Sequence, residues 1–169
     1  MLTAITAALI LAAPVADAPD RFGHTRTNEA QRAMLASFTA TRELVSGTYN
    51  WASSSVTLDR YIAQQKALDV SKSVRATDAA WTKMVGGLSS TQADQVKQEA
   101  TSIRDLFGQA QLTATKLSNE AGAASPNRTE VRHLTSELYG ALALAHEHQI
   151  AVGNKLGLNS EQASTDRAR

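Results

Sequence analysis

The chain has 169 residues, the length of one domain that can bury a core without staples. Seventeen Lys and Arg stand against sixteen Asp and Glu, a formal charge of +1, and neither sign gathers into the basic face or stripe of a nucleic-acid binder. The absence of cysteine excludes disulfides, thiolate zinc sites, cysteine nucleophiles and covalent c-type haem attachment.

Residues 1–18 open the chain with an apolar run over 2–16, centred on Leu9, Ile10 and Leu11, then Pro14 and the small-residue triplet Ala16-Asp17-Ala18. This is the pattern of a secretory signal, and the run is shorter than the about 20 apolar residues of a spanning helix. The expected location is therefore periplasmic or secreted. No Lys or Arg precedes the run and Pro19 follows the cleavage position, so an uncleaved apolar helix docking on the core is the alternative. Residues 19–26 lack periodicity and read as a linker.

Helix A is expected over 27–53, with the seam Met34, Phe38, Thr41, Val45, Thr48 and Ala52. Helix formers then become scarce from Ser46 to Thr57, and the seam resumes one residue out of phase as Ala63, Ala67, Val70, Val74, Thr77, Trp81, Met84 and Leu88. Either one long helix carries a stutter, or the chain turns near Ser53-Ser54-Ser55 and helix B, over 57–88, starts with Ser55 or Thr57 as its cap. Equal helix lengths favour the turn. Gly86-Gly87 and Ser89-Ser90 end helix B and cap helix C, over 91–121, where Thr91 with Asp94 reads as a capping-box variant.

Helix C carries the most regular seam: Ala93, Val96, Ala100, Ile103, Phe107, Ala110, Ala114, Leu117 and Ala121 step by threes and fours without a miss, which predicts one continuous helix. Ser125-Pro126 restarts the chain as N-cap and first helical residue. Helix D, over 126–157, has the seam Val131, Leu134, Leu138, Ala141, Ala145, His148 and Val152, with Gly157 as the residue beyond its end. Folding the seams as successive hairpins sets large residues against small ones, so the predicted fold is an all-α, antiparallel up-down-up-down four-helix bundle over 27–158. Residues 159–169 read as a polar tail.

Five constellations bear on function. Glu130 and His133 form Glu-x-x-His, with Glu137 one turn on, which resembles the metal-binding helices of carboxylate-bridged diiron bundles and implies Glu130, His133 and Glu137 as metal ligands. A diiron site also needs a second Glu-x-x-His, and no other Glu here has His three residues later, so a solvated ion-pair face and no metal is the expectation. His146 and His148, two apart, point about 200° apart on a helix and cannot chelate one ion. Only His148 falls in the seam.

Met34 on the first helix and His148 on the last lie within about one layer of each other, which resembles the small periplasmic b-type cytochrome and implies haem b held by Met34 and His148. Leu88-Ser89-Ser90-Thr91-Gln92 and Leu158-Asn159-Ser160-Glu161-Gln162 are similar to the Leu-Thr-x-x-Gln repeats of small periplasmic stress chaperones. His133 in a bundle is similar to a His-phosphotransfer site, although Leu134-Thr135-Ser136 follows it rather than Lys-Gly. No phosphate loop, Gly-x-Ser-x-Gly elbow or His-Glu-x-x-His helix occurs. The leading expectation is a non-enzymatic, exported binding or sensor-like module without a cofactor. Its partner is a protein or a small ligand, and a second copy of the chain, as a homodimer, is a further candidate.

Overall fold

The computed structural model of the chain describes residues 21–158, with side chains from Thr27 onward; the signal-like segment 1–18 and the tail 159–169 lie outside the described residues. Helices and short turns make up all of that stretch: α1 Arg21–Ser54, α2 Arg60–Gly86, α3 Ser90–Gln95, α4 Lys97–Gly122 and α5 Arg128–Lys155. The four long helices pack in a closed cycle, with α1 and α4 each touching both α2 and α5. None of the described helices is long and apolar enough to cross a membrane.

The helix ends follow from local hydrogen bonding, and several differ from the sequence expectation. The first helix already runs from Arg21, so residues 21–26 are helical rather than a linker; past Pro19 only Gly23 opposes the helix there. The chain does turn after Ser54, which makes residues 27–88 two helices. Ser55 is not the cap of the second, because its hydroxyl donates back to the Trp51 carbonyl at 2.7 Å. Asp59 takes that role, accepting from the Ile62 amide at 2.9 Å.

The Thr91 and Asp94 box is likewise replaced by Ser89 and Gln92, which satisfy each other's backbone amides reciprocally. At Val96 the backbone leaves the helical basin (φ −111°, ψ 9°), so the seam expected to lie on one helix crosses from α3 to α4. The Val96 side chain is fully buried at that break. Burial of the side chain holds the seam together where the backbone ladder lapses. Before α5, Asn127 rather than Ser125 is the N-cap, accepting from the Thr129 and Glu130 amides, and Pro126 precedes the helix instead of opening it. Gly157 stands just past the end of α5 with φ +68°, the left-handed conformation that favours glycine.

The core holds every expected seam residue of α1 and, from Ala63 to Met84, every one of α2, with Ile103, Phe107, Ala110, Ala114, Leu117 and Ala121 from α4. Phe38 and Phe107 meet at its centre, ring centroids 5.4 Å apart and tilted by 42°. The α5 seam departs from expectation. Leu142 and Gln149 are buried, whereas Ala141 and His148 are only half-buried.

A candidate ligand groove between α1 and α5

Each residue singled out from sequence has its own surroundings. Met34 is fully buried, but His148 stands outside the core, within electrostatic reach of Glu99 on α4. The Glu99 carboxyl is held below the usual range by a hydrogen bond from Lys155, at 2.7 Å, with the Lys155 and His148 charges assisting. His133 Nε2 reaches Glu137 Oε1 at 3.2 Å, with the two side chains 61% and 46% exposed, so that pair is solvated. Among the described residues no group of three His, Asp or Glu is placed to hold a metal ion.

His146, which the seam left out, is half-buried as well. Its ring lies 5.8 Å from that of Phe38. Burial pushes its pKa down, the Arg42 charge pushes it the same way, and Glu147 opposes them. It marks one end of a polar strip along the α1/α5 interface.

That strip is built from a repeated motif. Arg42-Glu43-Leu44-Val45-Ser46-Gly47-Thr48-Tyr49 on α1 and Arg132-His133-Leu134-Thr135-Ser136-Glu137-Leu138-Tyr139 on α5 share Arg-x-Leu-x-Ser-x-x-Tyr. The two copies interlock reciprocally. Arg42 Nη2 donates to the Tyr139 hydroxyl at 2.7 Å and its guanidinium lies 5.1 Å from the Tyr139 ring centroid. Arg132 Nη2 donates to the Tyr49 hydroxyl at 3.3 Å, 5.4 Å from the Tyr49 ring centroid. The hydrogen bond and charge of Arg132 hold the Tyr49 phenol below its usual pKa.

Seven residues separate Arg from Tyr in each copy, about 10 Å of helix rise, so the two Arg–Tyr pairs sit apart along the groove. Between them lies a cavity of about 320 Å³, lined by the matched residues Val45 and Thr135, Ser46 and Ser136, Tyr49 and Tyr139. Asn50 completes the wall. A shallower extension past Arg42 is bordered by Thr39, Glu43 and Gly47.

The electrostatics are unbalanced. Among the described residues neither guanidinium has a carboxylate partner, since the recorded ion pairs are His133 with Glu137 and Lys155 with Glu99. In both arginines Nε is buried with no acceptor. Each tyrosine oxygen accepts from its arginine; the Tyr49 hydroxyl also faces Ser53, so the Tyr139 phenolic proton is the one left available to donate. The cavity wall therefore offers two tyrosine and two serine hydroxyls, with a guanidinium bonded to each tyrosine. Such an arrangement can receive an anion.

The sequence reading missed this site because it followed apolar periodicity, and the groove residues flank the seam. The signal that finds it is the recurrence of Arg and Tyr at the same spacing with Ser at the same place between them. Compared with family models, with curated proteins and with solved structures, the chain matches none.

Proposed function

We propose that this protein is an exported, non-enzymatic, antiparallel up-down-up-down four-helix bundle that binds a small organic anion in the groove between its first and last long helices. The reciprocal frame of two Arg–Tyr pairs around the cavity carries this reading. Paired, partly desolvated guanidiniums without acidic partners gain more from an incoming carboxylate than surface arginines do.

The contact cycle α1–α2–α4–α5 supports the bundle topology. So does the order of the cross-helix bonds: Arg42 meets Tyr139 while the later Tyr49 meets the earlier Arg132, and Ser37 meets Thr77 while the later Thr41 meets the earlier Ser73. Export rests on the apolar run and small-residue triplet of residues 1–18. N-terminal sequencing of the protein recovered from host fractions tests it, and a cytoplasmic full-length species would remove it.

Binding is tested on the full chain by calorimetry and thermal shift with octanoate, benzoate and inorganic phosphate, against octylamine and octanol. The organic anions should bind saturably and raise the melting temperature, and the amine and alcohol should not. An Arg42→Ala, Arg132→Ala double variant should lose the response while keeping its helical circular dichroism. A flat response to every anion, or one that survives the double variant, rejects the reading.

A further inference from the structure

We infer that the ligand is a dianion with its two charges at opposite ends, a medium-chain α,ω-dicarboxylate, one carboxylate held by each Arg–Tyr pair. This rests on the anion-binding reading and specifies its ligand. The inference comes from the symmetry of the groove. The shared motif places Arg42 with Tyr139 at one end and Arg132 with Tyr49 at the other, so whatever chemistry one end recognises, the other recognises too. A ligand with a single charged head uses half of such a site. One with like ends uses both.

The spacing and lining select the rest of the ligand. The arginines are carried on opposite helices about one heptad apart, about 10 Å along the groove, which exceeds the reach of a short diacid such as succinate or of one phosphate group. The connecting wall is Val45, Thr135, Tyr49 and Tyr139, with Ser46, Ser136 and Asn50 among them. That mixed wall accepts a carbon chain between the two charged ends. At each end a carboxylate would meet a guanidinium and a tyrosine hydroxyl together, a planar cation beside a neutral group that a lysine ammonium does not reproduce. Glu43 borders the outer extension, which Arg42 also lines, and disfavours anions that reach past the frame.

The experiment compares suberate with its monomethyl ester and with octanoate, by calorimetry on the unmodified full chain, with adipate and succinate as shorter diacids. Suberate should bind at least 10-fold more tightly than either single-headed ligand, and succinate no better than octanoate. In proton NMR, suberate should shift the ring resonances of both Tyr49 and Tyr139 with one saturation curve. Arg42→Lys and Arg132→Lys, which keep the charge and disturb packing least, should each bring suberate down to the affinity of octanoate. If octanoate and the half-ester equal suberate, the dicarboxylate is overturned while anion binding stands; if no carboxylate binds, both readings fall.

Discussion

Helix α1 is flanked by two interfaces made from repeated polar motifs, and they come out opposite in character. Toward α2, Ser37-Phe38-Thr39-Ala40-Thr41 faces Ser73-Val74-Arg75-Ala76-Thr77, the same Ser-x-x-Ala-Thr pattern twice. Its hydroxyls satisfy one another: Thr41 with Ser73 at 2.6 Å, Thr41 with Thr77 at 2.8 Å, and Ser37 with Thr77 at 2.7 Å. Toward α5 the repeated residues are Arg and Tyr, which flank a cavity and, among the described residues, leave the arginine charges without an acid. Small hydroxyl residues act as both donor and acceptor, so a reciprocal pair of motifs closes on itself. Arginine only donates. A reciprocal pair built on it leaves donors over, and the interface becomes a site.

The largest effect tests what the two interfaces share. Phe107 is fully buried against Phe38, beneath both flanks of α1. Phe107→Ala should cost about 3–5 kcal/mol in urea denaturation, because it leaves a cavity that the surrounding helices fill only in part. A loss under about 1 kcal/mol would take Phe107 out of the common core and uncouple the flanks.

The next pair of substitutions separates them. Thr77→Val keeps the shape but removes the hydroxyl that Ser37 and Thr41 share, stranding buried polar groups, at a cost of about 1–3 kcal/mol. Tyr139→Phe removes the hydroxyl that accepts from Arg42 at the solvated edge, and should change stability by no more than about 0.5 kcal/mol. Equal costs would mean that the α5 interface is as closed as the α2 interface. The contrast would then disappear.

The closed interface was far more legible in the sequence than the open one. Thr41 and Thr77 sit in the seams, so the period that finds the apolar core finds them as well. On α5 the seam was legible at Val131, Leu134, Leu138, Ala145 and Val152 and missed at two positions. Val131, Leu138, Ala145 and Val152 are common to both ways of alternating threes and fours, and the positions between them decide which face is inward. Choosing Ala141 over Leu142 also chose His148 over Gln149; the bulkier Leu142 is the residue that burial selects, and it carries Gln149 inward with it. The groove lay beside the seam and left no trace in apolar periodicity. The break at Val96 was hidden for the opposite reason, since a buried valine continues the seam whether or not the backbone is helical.

A smaller effect comes from His146, which adjoins the open interface through Arg42 and packs on Phe38. Its folded pKa lies below its ordinary value of 6.5, mainly through burial. As pH falls through 6.5 the unfolded chain takes up the proton first, so stability should decline there until the folded group also protonates. His146→Gln should flatten that segment of the profile. The Glu99 contribution runs lower and in the carboxylate sense: its depressed pKa supports stability above the carboxylate range, and that support is lost as pH falls through it. An anion beside Arg42 should raise the His146 titration midpoint in NMR, because it offsets the charge that now opposes protonation. A midpoint at or above 6.5 in the free protein would place His146 in solvent.

The smallest expected effect gives the finest test of where the groove ends. Gly47 in α1 and Gly108 in α4 are both mid-helix, and a methyl group added at either meets no atom within 4 Å. Alanine at each should therefore stabilise the protein by about 0.5–1 kcal/mol, through helix propensity and a less disordered unfolded chain. The two differ in position. Gly47 borders the outer extension of the groove beside Arg42, Glu43 and Tyr139, whereas Gly108 has no part in it. Gly108→Ala should leave carboxylate binding unchanged. Gly47→Ala should add the same stability and also leave suberate binding unchanged if the ligand stays between Ser46 and Ser136, since the added methyl lies outside the inner cavity. A variant that is more stable and binds suberate several-fold less tightly would show that the ligand runs out past Arg42, along the wall where Glu43 stands. The frame of two Arg–Tyr pairs would then mark the ligand's path rather than its two ends.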